Sequence, residues 1–162
     1  MKLPVYFSID FEDFSYDLMR SLGLEPKTNF EALDASYEFI NNLIINNFIN
    51  KKVTFFTTGT VAKEYPELVK RISQDGHEVG SHYNFHDLMY KQSNYEIEKN
   101  LEISKNYIYK ATGTEPTGFR APVFSIGRNR LDIYTSIEKF FEYDSSYVLR
   151  LDSKDYSDYL DE

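Results

Sequence analysis

Hydrophobic and polar residues switch repeatedly between a period of two and a helical period along the chain. In LPVYFSID, Val5, Phe7 and Ile9 alternate with Tyr6, Ser8 and Asp10, which predicts a strand. FSYDLMRSLGLEPKTN follows as a long loop with at most a short helical turn. Leu33, Tyr37, Ile40, Ile44 and Phe48 then recur at helical spacing, with Thr28 or Asn29 as the cap. KVTFFTT, residues 52–58, is β-branched and aromatic and predicts a second strand. VAKEYPELVKRISQDG predicts a helix that stops near Gly76, with a break at Pro66. HEVGSH reads as a short strand. In SNYEIEKNLEISKNYIYKATG, Ile97, Leu101, Ile108 and Ala111 form one stripe, capped by Ser93 or Asn94 and closed by Gly113. TGFRAP predicts a strand ended by Pro122, NRLDIYTSIEKFF a helix, and YDSS the opening of a fifth strand.

Strands and helices in alternation mean βαβ units and a parallel sheet. The expected class is therefore α/β, with about five parallel strands and flanking helices over residues 1–147. Residues 148–162 carry little periodicity and read as an acidic, loosely held tail. The length of 162 residues suits one domain, and 41% hydrophobic with 17% aromatic content excludes a disordered chain. The net charge of −8 argues against nucleic acid or an anionic membrane surface as the main partner, because phosphates need a basic patch. No apolar run is long enough to span a bilayer, and MKLPVYFSIDF is too short and polar for a signal peptide, so a cytoplasmic protein is expected. Cysteine is absent, so any bound metal must use nitrogen and oxygen ligands.

Candidate chemistry gathers at strand ends. In the first strand, Ser8, Asp10 and Glu12 share a face at the C-terminal end, where parallel α/β folds build their sites. Asp13 would face away unless a turn redirects it. All three histidines lie within ten positions, at 77, 82 and 86. On a helical turn, His82 and His86 would rise about 6 Å and share one face, the spacing of a helical zinc pair. His77 lies at the wrong end of its strand and reads as structural. Arg120 closes another strand and can pair with a catalytic carboxylate. The turn fixed by Pro122 can aim the Val123 N–H into the site.

In this order, SIDFED, GHEVGSHYNFH and FRAPVFS resemble the three leading motifs of the polysaccharide deacetylases, carbohydrate esterase family four, with the NodB homology domain. The first motif is similar to the Asp-x-Glu-Asp version of a biosynthetic subgroup, and YDSS resembles that subgroup too. The resemblance implies a distorted (β/α) barrel of the NodB type, here a partial one, and hydrolysis of N-acetyl or O-acetyl groups on a carbohydrate. It implies a divalent metal, zinc first, held by one carboxylate and two histidines. By position, Asp10 is then the general base and Glu12 the metal carboxylate, with Asp13 as second choice. His82 and His86 are the metal histidines, Arg120 orients Asp10, and Val123 N–H contributes to an oxyanion hole.

Tyr83 departs from the family's usual small hydroxyl residue after the first motif histidine. Family members continue beyond five strands and end in a late histidine that serves as general acid, which this sequence does not contain. Three expectations follow: a C-terminally truncated chain, a partner that completes it, or a poor catalyst. Exposed barrel edges would favour self-association. The competing readings are a non-catalytic sugar- or metal-binding remnant of this fold and a cyclic-ureide hydrolase on the same scaffold.

Overall fold

The computed structural model describes residues 6–47 and 52–148. Its five strands are β1 (Ser8–Phe11), β2 (Thr54–Thr57), β3 (Glu78–Ser81), β4 (Gly118–Phe119) and β5 (Tyr143–Asp144). They lie in that order in one sheet, each parallel to the next. Parallel neighbours require crossovers, and the helices supply them. These are α1 (Phe14–Ser21), α2 (Phe30–Asn47), α3 (Gly59–Glu64), α4 (Pro66–Gln74), α5 (Asn94–Thr112) and α6 (Asp132–Ile137). The expected α/β class with five parallel strands is what the chain adopts. The expected tail falls, from residue 149 on, outside the described residues.

Side chains alternate across the pleat, so each strand feeds two environments. Phe11, Phe55 and Val79 point to the helices and join Leu33, Tyr37, Val61, Leu68, Ile72 and Ile108 in one buried cluster. Each such side chain stabilises the fold by about 1.5–3 kcal/mol when fully buried. A second cluster joins Tyr83, Ile97, Leu101, Phe119, Ile133 and Phe141. On the other face, Glu78 collects the side chains of neighbouring segments. Thr54 donates to its Oε2 at 2.6 Å, and Thr117 and Tyr143 donate to Oε1 at 3.3 and 2.8 Å. The strands run so close here that a Cβ on Gly80 would lie 2.8 Å from the Phe56 ring.

The helix of residues 94–112 follows from its sequence. Its four striped residues are all buried, Ser93 and Glu96 form a capping box, and Gly113 ends it at φ 74°. Pro66 splits the expected single helix into α3 and α4, sitting at the start of α4 where its missing N–H costs nothing. Two local expectations fail. Residues 14–21 form two turns of helix rather than a loop. Phe7 is largely exposed, although Ile9 on the same face packs against the core. Among the described residues, no helix is long and apolar enough to cross a membrane.

Candidate active site

The backbone leaves β1 at Phe11 and turns into α1 within two residues, and this turn separates the acids. Asp13 caps α1: its Oδ1 accepts the Tyr16 N–H at 3.0 Å and its Oδ2 accepts the Asn29 N–H at 2.8 Å. Both oxygens are thereby committed to backbone donors. Asp13, the second choice for the metal carboxylate, is engaged in capping and does not group with the histidines. Glu12 is brought there instead.

His82 and His86 do converge, with ring centroids 5.5 Å apart. They do so without the expected helical turn. Residues 82–88 form a bent loop, and Tyr83 sits at φ 67°, outside the helical region. Tertiary packing overrides local spacing here, because the Tyr83 ring is buried in the second cluster and its hydroxyl donates to Gln92 at 2.6 Å. His82 is anchored by its N–H to the Thr57 carbonyl at 2.8 Å, and its Nδ1 faces the Arg120 carbonyl at 2.9 Å. A carbonyl can only accept, so this contact places the ring proton on Nδ1 and leaves Nε2 as the lone-pair donor. One donor atom each from Glu12, His82 and His86 lies within 4.8 Å of the others.

This trio fits a cation by its own chemistry. Glu12 Oε2 is buried without a hydrogen-bond partner among the described residues, although His86 Nε2 lies only 3.1 Å away. The two atoms are close enough for a single cation to take both as ligands. Burial, with the negative charges of Asp17 and Asp10 behind it, pushes the Glu12 carboxyl up to about 7. Burial likewise lowers His82 and His86, which keeps both imidazoles neutral and able to donate a lone pair. Two imidazoles and one carboxylate form the donor set of catalytic zinc sites with an open position. His77, by contrast, is buried at the opposite strand end, where its ring nitrogens face Val53 N at 3.4 Å and Asn41 Oδ1 at 3.1 Å.

Beside the trio, Arg120 donates from Nη1 to Asp10 Oδ1 at 2.8 Å. Its Nη2 reaches Ser8 Oγ and Ser145 Oγ, each at 2.8 Å, and its guanidinium lies 4.3 Å from the centre of the Phe56 ring. The arginine is thus fixed on several sides before it meets Asp10. The YDSS quartet completes the seat: Ser146 Oγ accepts the Ala121 N–H at 2.7 Å and donates to Asp144 at 2.6 Å. Burial raises the Asp144 carboxyl. Val123 follows in a tight turn at φ 53°, with Phe124 at φ 51°. With Tyr83, these are the three non-glycine residues of positive φ among the described residues, and all three follow strand ends at this site. Such conformations cost about 1–3 kcal/mol each and concentrate where function requires them.

Sequence reasoning missed a group that touches the histidine loop from α1. Asp17 Oδ1 accepts the His86 N–H at 3.2 Å, and Arg20 forms an ion pair with Asp87. Neither residue lies in a motif, and the contacts span 69 and 67 positions.

The polysaccharide deacetylase family model matches residues 48–139. Peptidoglycan-N-acetylglucosamine deacetylase PgdA of Listeria monocytogenes is 35% identical over 79 residues, 49% of this chain and 17% of PgdA. Peptidoglycan-N-acetylmuramic acid deacetylase PdaA of Bacillus subtilis is 33% identical over 110 residues, 66% of this chain and 42% of PdaA. The chain spans less than half the length of these curated relatives. Among solved structures, a family 4 carbohydrate esterase from Streptomyces lividans superposes with a TM-score of 0.63 at 18% identity, covering 89% of this chain and 63% of that one. A family 4 pseudoenzyme from Bacillus anthracis superposes with a TM-score of 0.65 at 20% identity, covering 83% of this chain and 59% of that one. At those identities the two structures speak for the fold alone. The family match over more than half of the sequence, on a sheet of this topology, places the chain in the polysaccharide deacetylase family.

Proposed function

We propose that this chain carries the metal-holding and water-activating residues of a hydrolase that removes acetyl groups from a carbohydrate. The observation that supports the reading most is the buried Glu12 Oε2, without a hydrogen-bond partner among the described residues, facing two neutral histidines, with the Asp10–Arg120 pair alongside. A fold shared with a pseudoenzyme does not carry activity, so the weight rests on these side chains.

Glu12, His82 and His86 hold a divalent metal, zinc first given their nitrogen and oxygen donors. When bound there, the ion supplies Lewis acidity toward an acyl oxygen and a water. Asp10 would accept a proton from the attacking water. Arg120 engages Oδ1 of Asp10, so Oδ2 is the oxygen left to accept. The guanidinium, itself held by Ser8 and Ser145, fixes the direction in which the carboxylate points. Val123 N–H donates to the oxygen on which negative charge develops. The histidines that could protonate a leaving amine are spent: two are ligands, and His77 lies at the other end of the sheet. An alkoxide needs that proton less than an amine does, so O-acetyl and aryl acetate substrates are expected to be turned over more readily by this chain than N-acetyl sugars.

The test compares Asp10→Asn with Glu12→Gln, measuring zinc by equilibrium dialysis and hydrolysis of an aryl acetate and of an N-acetylglucosamine oligomer. Asp10→Asn should keep its zinc and lose about 10²–10⁴-fold in rate. Glu12→Gln should lose zinc as well as rate. The reverse pattern would mean that the two carboxylates have exchanged roles.

A further inference from the structure

The two histidines of the trio are secured unequally. His82 follows directly on β3, is almost fully buried, and has its Nδ1 set against the Arg120 carbonyl. His86 lies four residues farther along a bent loop and is half-buried. Among the described residues, its ring shows contacts to Glu12 and to the His82 ring, both of which belong to the trio. Among the described residues, no hydrogen bond from outside the trio to this ring is seen, although the charges of Asp17, Asp10, Asp87 and Arg20 act on it, so the backbone that bears the ring largely sets its position.

That backbone is gripped from α1. Asp17, the buried residue of this helix, accepts the His86 N–H at 3.2 Å. One turn later, Arg20 straddles the residues on either side of His86. Its guanidinium carbon lies 4.4 Å from the centre of the Phe85 ring, and its Nη2 pairs with Asp87 Oδ1. Its Nε lies 3.8 Å from Asp17 Oδ1, which ties the two gripping residues together. Asp87 Oδ2 in turn receives Gln92 Nε2 at 3.5 Å, and Gln92 receives the Tyr83 hydroxyl. The chain of contacts thus runs from α1 across the loop and back to the residue that follows His82. Residues 85, 86 and 87 are each touched by this pair of side chains, three consecutive positions fixed from one helix face.

We propose that Arg20, acting with Asp17, is a positioning residue that sets His86 in ligating register with Glu12 and His82. The inference rests on the metal-site reading above. It gives α1 a role its exposed apolar surface does not suggest, because the helix delivers two polar side chains to the loop across which the metal is held. Partners of this outer kind are worth about 10–100-fold in metal affinity where they have been removed from other metal sites.

The test is a zinc titration of the full chain with a competing chelator, on wild type, Arg20→Ala, Asp87→Asn, the double variant and Arg71→Ala. Arg71 is the control: it forms comparable half-exposed pairs with Asp34 at 2.5 Å and Glu38 at 3.3 Å, but on α4 and α2. Arg20→Ala and Asp87→Asn should each raise the zinc Kd, by about 10–100-fold for Arg20→Ala. The double variant should be no weaker than Arg20→Ala alone, and Arg71→Ala should match wild type. Asp87→Asn preserves shape, so it remains informative if Arg20→Ala does not fold. Wild-type affinity in Asp87→Asn, or an equal loss in Arg71→Ala, would overturn the positioning role while leaving the metal site standing. A wild-type chain that binds no zinc would overturn both.

Discussion

The segment that follows β3 brings the histidines, the segment that follows β1 brings the acids, and the two are embedded by different forces. Around the histidines, Ser81, His82, Tyr83, Asn84 and Met89 are all buried, and Tyr83 stacks edge-on against Phe119 at 6.4 Å. Around the acids, α1 exposes Phe14 and Leu18, with Leu22 exposed at its C-cap, and buries Asp17. Its attachments are polar: the Asp13 cap, the Asp17–His86 hydrogen bond and the Arg20–Asp87 pair. His82 and its neighbours are placed by packing, whereas the acids and the His86 loop are hung on directed bonds. Packing contributes to global stability, whereas directed bonds to a thin surface helix mainly set geometry. The comparison therefore separates changes that unfold the protein from changes that mistune the site.

The largest effect is expected in the packed half. Phe119→Ala removes a fully buried ring between Tyr83 and Phe141 and should cost about 3–5 kcal/mol in urea unfolding. A loss below about 1 kcal/mol would show that this half is not held by packing. In the acid half, Asp13→Ala should cost about 1 kcal/mol through the lost cap and leave zinc stoichiometry unchanged. Lost zinc with an unmoved unfolding midpoint would return Asp13 to the ligand set. A smaller effect is expected at the far end of the packed half. Burial lowers the His77 pKa below its ordinary 6.5, so the unfolded chain binds the proton more readily. Stability from this residue is therefore present above about 6.5 and falls as pH drops through the window beneath it. His77→Gln should flatten the pH dependence of unfolding across that window; an unchanged slope would contradict the assignment. Smallest of all, Leu18→Ala on the exposed face of α1 should shift stability by less than about 0.5 kcal/mol.

The same contrast explains what could be read in the sequence. The helix of residues 94–112 is legible because its buried stripe, its capping box and its terminal glycine agree. The sheet follows from the strand–helix rhythm. Helix α1 escaped notice because its inward residue is an aspartate, so hydrophobic periodicity marks no face for burial. His82 and His86 lie together, but not by the helical turn their spacing suggests: Tyr83 anchors its ring in the core and bends the loop, which no local spacing rule contains. Strand alternation favours Glu12 over Asp13 but leaves open a turn that redirects Asp13; the chain does turn between Phe11 and Phe14, and a capping requirement claims Asp13. Asp17 and Arg20 were invisible, since their partners lie about seventy positions away and only the folded chain unites them.

The central claim is that Glu12, His82 and His86 together hold one metal ion. The most direct test is the zinc content of the purified chain after equilibrium dialysis, compared with that of the His82→Ala/His86→Ala double variant. The account predicts one zinc per wild-type chain and none in the double variant, with both proteins folded by circular dichroism. Undiminished zinc in the double variant would contradict it.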